Sequence, residues 1–292
     1  MKRLRKPEWL KSNKVGSKAA SELTKSLRKY HLTTVCEDAK CPNRGECFER
    51  GTATFMILGE TCTRNCRFCA VDKSKKNLLA PDPQEPLNIA RLAQELNLQH
   101  IVVTTVTRDD LPDGGAEQFV QVVKEIRKNC NPEVSIELLI SDLNGDFEPL
   151  KKIVQSAPDV LNHNVETVER LYAAVRPMAD LEQSLQVLRR AKEIDPEIIT
   201  KSGFMVGLGE KQSEVISLLK KLRAAKVDIV TIGQYMQPSA EHYPVAEYVH
   251  PDIFAAYKSA ALEMGFALVE SAPLVRSSYQ AEKARNILKK RS

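Results

Sequence analysis

"TFMILGETCTRNCRFC", residues 54 to 69, places a five-residue apolar run just ahead of three cysteines. A short apolar run bounded by glycine reads as a buried strand. In parallel α/β folds the functional loops leave the carboxyl ends of the strands. Cys62, Cys66 and Cys69, which begin four residues after "TFMIL", therefore lie on such a loop at the mouth of the fold. Further runs repeat the strand signal: "HIVVTT" (100–105), "VSIELLI" (134–140), "DVLNHN" (159–164), "TKSGFMVG" (200–207) and "DIVTIGQ" (228–234). Helical patterns lie between them near 88–97, 115–129, 146–156, 167–173, 180–194 and 212–225. In "LEQSLQVLRRA", for example, Leu181, Leu185 and Leu188 share one face. Six strands alternating with helices predict parallel units with right-handed crossovers. The expected fold is α/β: a partial (β/α)6 barrel of parallel strands with N-terminal and C-terminal extensions. A doubly wound open sheet is the rival. The expected division is an extension over 1–50, a barrel over 51–265 and a C-terminal segment over 266–292, with two more helices near 251–264 and 279–291.

Three cysteines spaced C-x3-C-x2-C are one short of a closed structural zinc site, and no fourth Cys or His follows within twenty residues of Cys69. Thiolates at such intervals suit a 4Fe–4S cube. Three of them hold three irons and leave the fourth open to a substrate. A second triplet, "CEDAKCPNRGEC", spaces Cys36, Cys41 and Cys47 as C-x4-C-x5-C. Taken alone, its bland alternative is a zinc site closed by a distant His. Cys130 stands apart at a helix end.

The 292 residues are 42% apolar and 28% charged, the balance of a soluble globular protein, and no run reaches the ~18 apolar residues of a membrane span. Charge is uneven: ten Lys or Arg against Glu8 and Glu22 give residues 1–30 a net +8, while the whole chain carries +5. Such an arm is either a solvated terminus or a docking element for an acidic partner. Without interleaved aromatics a protein partner is favoured over nucleic acid. The arm lacks an apolar secretory core. Six of the seven cysteines fall in two tight triplets, not at disulfide spacings. A cytoplasmic location is expected.

C-x3-C-x-aromatic-C, with Phe68 as the aromatic, on the first loop of a partial barrel resembles the radical S-adenosylmethionine superfamily. Both triplets together, with "KPEWL", "TTVTRDDLPDGGA", "LNHNVETV", "FMVGLGE" and "RSSY", resemble the lipoyl synthase family within it, from about residue 5 to 280. The resemblance implies two 4Fe–4S clusters per chain and S-adenosyl-L-methionine, bound at the open iron of the Cys62, Cys66, Cys69 cluster and cleaved there to a 5′-deoxyadenosyl radical. It also implies an auxiliary cluster on Cys36, Cys41 and Cys47, its fourth ligand a serine of "RSSY": Ser278, with Ser277 its neighbour. Two serines ahead of "YQAEKARNILKK" also suit a helix N-cap. The implied substrate is an octanoyl chain on a lysine of a lipoyl carrier domain, from 2-oxoacid dehydrogenase acyltransferase subunits or the glycine cleavage H protein. The implied reductant is a flavodoxin or ferredoxin, and neither nucleic acid nor membrane is a partner.

Strand-end positions offer cofactor contacts: Thr105, Thr107 and Asp109 after the second strand, Asn162 and Asn164 after the fourth, and Gly207 after the fifth. Each is equally ordinary turn chemistry. Arg176 and Arg276 are basic positions open to either the cofactor carboxylate or the partner, and His163 reads as a packed histidine. Other sulfur-inserting radical enzymes and a non-catalytic iron–sulfur protein are the competing functions.

Overall fold

The computed structural model describes residues 4–10, 18–34, 43–50, 52–74 and 78–291. Its sheet holds β1 (Thr52–Ile57), β2 (His100–Thr105), β3 (Ser135–Leu139), β4 (Val160–Asn162), β5 (Ile199–Val206), β6 (Ile229–Gln234) and β7 (Leu268–Ser271). Spatial order equals chain order, and every neighbouring pair is parallel. A doubly wound sheet reverses its winding at a switch point, and this one does not. The result is the expected partial barrel, open because β1 and β7 stay at opposite edges of the sheet.

The seventh strand corrects the expected six. "LVES" is four residues long and only half-buried at both ends, too short for a periodic signal.

Helices α1 (Lys18–Lys29), α2 (Arg44–Glu49), α3 (Glu85–Glu95), α4 (Ala116–Asn129), α5 (Phe147–Gln155), α6 (Tyr172–Val175), α7 (Leu181–Ile194), α8 (Gln212–Ala224), α9 (Pro251–Glu263) and α10 (Ala284–Arg291) complete the described elements, with short 3-10 turns. Their starts follow local chemistry. Asp180 caps α7 by accepting from the Gln183 amide at 2.8 Å, and Leu181, Leu185 and Leu188 are buried as their spacing predicts. Among the described residues no helix is long and apolar enough to cross a membrane.

Alternation along the strands sorts side chains to two sides. Ile101, Val103, Ile136, Leu138 and Leu161 pack outward with Phe119 and Val122 of α4 and Ile153 of α5. The residues between them face the barrel interior, which is polar at mid-height. There the Lys201 ammonium donates to both Glu137 oxygens at 2.9 and 3.0 Å, and the Asn162 amide donates to Glu137 Oε1 at 2.7 Å. Burial alone would raise the Glu137 pKa, but Lys201 and His100 outweigh it and hold the carboxylate at about 2.

Both extensions cover parts of the barrel. Val160, Ile199, Ile229 and Leu268, the first residues of β4 to β7, pack on Ala284, Ile287 and Leu288. Helix α10 thus plugs the amino end and leaves the carboxyl end as the mouth. Thr33 forms an antiparallel bridge to Met56, and the Thr34 hydroxyl donates to Thr54 O at 2.6 Å, so the edge of β1 is covered.

Candidate active site

The cysteine loop leaves β1 through Leu58 and Gly59, both with positive φ (66° and 84°), which turns the chain sharply over the mouth. Neighbouring loops then hold it by its backbone. The Cys62 amide donates to Asp72 O at 2.8 Å, Thr63 to Thr107 O at 2.9 Å and Arg67 to Val175 O at 2.8 Å. Tyr243 donates back to Arg67 O at 2.9 Å, and Lys73 Nζ to Cys66 O at 2.8 Å. His242 Nε2 lies 3.0 Å from Cys69 O, an acceptor only, so Nε2 carries the proton and Nδ1 accepts from the Ser239 hydroxyl at 2.8 Å. Segments following β2, β4 and β6 therefore converge on eight residues.

Arg64, inside the cysteine motif, is the strongest tether and a residue that sequence reading missed. Its guanidinium is 4% exposed and forks onto two carboxylates. Nε and Nη2 donate to Asp109 at 2.8 and 2.9 Å, while Nη1 and Nη2 donate to Asp142 at 2.7 and 2.6 Å. Asn144 Oδ1 takes a further bond at 2.9 Å. Burial would push the Asp142 carboxyl up, but Arg64 holds it at about 2. The available signal was an arginine in the loop with "RDD" and "SDLNGD" at the ends of two strands.

Burial raises the Cys66 thiol pKa, partly offset by Arg176, and Cys62 raises it further. Burial and the two other thiols push Cys69 up to about 11. A cationic iron centre would offset the burial and the neighbouring sulfur charge that raise Cys66 and Cys69. Soft thiols on a pinned loop fit a 4Fe–4S cube. Among the described residues no three His, Cys, Asp or Glu side chains gather tightly enough for a single metal ion. A cube takes each thiolate on a different iron and needs no such gathering.

The remaining expected site residues separate. Thr105 and Thr107 are half-buried at the end of β2. The Asp109 carboxylate is committed to Arg64 and Thr63, so it braces the cysteine loop. Asn162 is fully buried and donates to Glu137 and to Ser277 Oγ; Asn164 is half-buried and accepts from Ser277 Oγ at 3.1 Å. At Gly207 (φ 95°) a Cβ would overlap the Gln234 amide and the Glu247 carbonyl, so packing within the protein accounts for that glycine. His163 is buried and neutral, its pKa lowered to about 4 by burial, with Nδ1 donating to Ile140 O at 2.9 Å. Arg176, unassigned before, is buried with Nη1 on Asn164 O, Val165 O and the Tyr172 hydroxyl, and its charge faces Cys66.

Cys36 and Cys41 lie outside the described residues. Cys47 is half-buried in α2, and α2 with its flanks packs along the C-terminal segment. Asn43 Nδ2 donates to Leu274 O at 2.6 Å, the Tyr279 hydroxyl to Glu46 at 3.4 Å, and Arg50 and Thr52 both reach Glu282, at 3.3 and 3.2 Å. Segments more than 220 residues apart in sequence meet at the barrel's open seam. Ser278 is half-buried there, without a hydrogen-bond partner among the described residues. Neither serine caps a helix, because the next turn, Ala281–Lys283, starts from Gln280.

A parallel partial barrel with three thiols pinned on its first mouth loop defines a radical S-adenosylmethionine enzyme, and the Radical SAM superfamily model matches residues 56–232. Solved structures share the fold: methylornithine synthase superposes with a TM-score of 0.58 at 14% identity, covering 88% of this chain and 79% of that one. HydG, a maturase of the FeFe-hydrogenase, gives 0.57 at 15% identity over 94% and 75%. The lipoyl synthase of Caldicellulosiruptor saccharolyticus is 52% identical over 99% of this chain and 100% of its own length. That of Oceanobacillus iheyensis is 52% identical over 96% and 88%. The chain belongs to the lipoyl synthase family and is an enzyme.

Proposed function

We propose that this enzyme converts an octanoyl chain, amide-linked to a carrier-domain lysine, into a lipoyl group by replacing a hydrogen at carbon 6 and another at carbon 8 with sulfur. When bound, S-adenosylmethionine with the cube on Cys62, Cys66 and Cys69 supplies the radical that removes these hydrogens, and a second cube on Cys36, Cys41, Cys47 and Ser278 supplies the sulfurs. The observation that carries this reading is the seam, where the Cys47 helix and the Ser278 segment are laced together beside the barrel interior. A sulfur donor must sit beside the carbon it attacks. Ser277, the neighbour of Ser278, is held by Asn162 and Asn164 at the carboxyl end of β4, the same end of the parallel sheet from which the cysteine loop leaves β1.

Division of labour among the chain's own residues follows. Arg64, Asp109, Asp142, Lys73 and His242 hold the radical loop in one shape. Thr105, Thr107, Asn164 and the backbone around Gly207 remain the candidate cofactor contacts at the strand ends. Ser278 offers a hard oxygen among soft thiolates, a ligand easily displaced when the cluster is dismantled. The functional parts are residues 1–50 and 266–292 for the sulfur donor and 51–265 for the radical. Octanoylated acyltransferase subunits and the glycine cleavage H protein are the carriers this reading expects. Flavodoxin or ferredoxin is the expected reductant, and the cytoplasm the expected location.

Anaerobic iron and sulfide counts with a 5′-deoxyadenosine assay test it. The reconstituted chain should hold about eight irons, and Cys41→Ala about four. That variant should still release 5′-deoxyadenosine but make no lipoyl product. Normal product from Cys41→Ala would overturn the reading.

A further inference from the structure

The adjacent serines of the C-terminal segment are treated oppositely by the fold. The Ser277 hydroxyl is gripped on both sides: it donates to Asn164 Oδ1 at 3.1 Å and accepts from Asn162 Nδ2 at 3.0 Å. Asn162 is itself fixed from below, since the same amide donates to Glu137, which Lys201 holds in turn. Asn162 and Glu137 are 0% exposed and Lys201 2%. The segment's path is also cleared for it. A Cβ at Gly233 would overlap the Val275 carbonyl, and one at Gly203 would come within 2.9 Å of Asn164 Oδ1. The Gln234 amide donates to Pro273 O at 3.2 Å, and Tyr279 N closes a turn onto Arg276 O at 2.9 Å. Ser278 sits inside that turn, one residue beyond the gripped hydroxyl.

From this we infer that Ser277, with Asn162 and Asn164, is a built anchor that positions Ser278 for the auxiliary cluster. The inference rests on the reading that Ser278 is the cluster's fourth ligand. A serine oxygen is a poor match for iron among thiolates, so its occupancy depends on being held in place. A ligand fixed by hydrogen bonds one residue away loses less freedom on binding, the role that outer-shell partners play at metal sites generally. The polar interior of the barrel thereby gains a role, because the Lys201–Glu137–Asn162 chain ends on Ser277. Asn162, which strand position alone would aim at a cofactor, acts instead through the serine.

The test uses the full chain carrying Ala at Cys62, Cys66 and Cys69, so that only the auxiliary cluster is read. Iron loss to a chelator, followed by the decay of the cluster's visible absorbance, reports how well the fourth ligand is held. Ser278→Ala should lose iron faster than its parent. Ser277→Ala should approach that rate, about tenfold above the parent, the scale of one lost hydrogen bond. Ser277→Thr keeps the hydroxyl and should restore slow loss, whereas Ser277→Val, with the same shape, should not. Asn164→Ala should match Ser277→Ala, and the double variant should be no worse than either. Equal rates for Thr and Val, or parent-like loss from Ser277→Ala while Ser278→Ala is fast, would overturn the anchor alone. Parent-like loss from Ser278→Ala would overturn the ligand reading, and fast loss from Ser277→Ala beside it would make Ser277 the ligand.

Discussion

Replacing Arg64 with Ala strips one buried guanidinium from two carboxylates that face each other across it. The magnitude follows from the Asp142 side, which is 0% exposed. Holding that carboxyl from its ordinary value of 3.8 down to about 2 corresponds to roughly 2.5 kcal/mol of stabilisation. Deleting one partner of a buried ion pair typically costs about 3–5 kcal/mol, because the other charge is left unpaired. A loss of about 3–4 kcal/mol is expected at pH 7.5, measured by urea unfolding of the anaerobic chain, together with loss of the radical cluster. The sign with pH is fixed. A depressed carboxyl pKa stabilises the fold above the ordinary carboxylate range, and that contribution fades as pH falls toward about 2. In the variant the facing carboxylates take up a proton more readily, so the gap to the parent should narrow below pH ~5. Arg64→Lys keeps the charge but not the fork and should recover only part of the loss. A change under about 1 kcal/mol with full iron content, or a gap that widens in acid, would refute this account of the loop.

Three further outcomes are expected. Lys201→Met leaves Glu137 buried without its cation and should destabilise the barrel by about 3–5 kcal/mol in thermal or urea unfolding. Gly233→Ala, whose Cβ meets the Val275 carbonyl, should displace the C-terminal segment, so iron counts should fall by about half while the circular dichroism of the barrel persists. Trp9 packs edge-on against His250, the residue that caps α9, at 5.2 Å between ring centroids, and Arg5 and Lys6 of the basic arm are exposed. Binding of an acidic carrier should therefore weaken as salt rises to ~0.5 M, where the Debye length falls well below ~10 Å, and a salt-independent affinity would make the arm passive.

The elements legible in the sequence are those with strong local signals. Six strands showed as apolar runs, α7 as the shared face of Leu181, Leu185 and Leu188, and the radical loop as cysteine spacing. What remained hidden depends on contacts across the barrel. Nothing local in "RSSY" separates a gripped Ser277 from an available Ser278, because the partners lie 115 and 113 residues away. Arg64 reads as a surface residue until Asp142, 78 positions later, is brought beneath it. Asn162 and Asp109 occupy the strand-end positions expected of cofactor contacts, yet their side chains are committed to Glu137, Ser277 and Arg64. The seventh strand was too short to carry a period of its own.

The central claim is that the seam holds a sulfur donor consumed in the reaction. Building the protein's clusters from ³⁴S-sulfide and supplying no other sulfur tests it most directly, by mass spectrometry of the lipoyl product. Both product sulfurs should be heavy, and each chain should make at most about one lipoyl group, the limit set by one auxiliary cube. Light sulfur in the product, or repeated turnover without cluster repair, would contradict the claim and leave Cys36, Cys41 and Cys47 as an electron relay or a structural site.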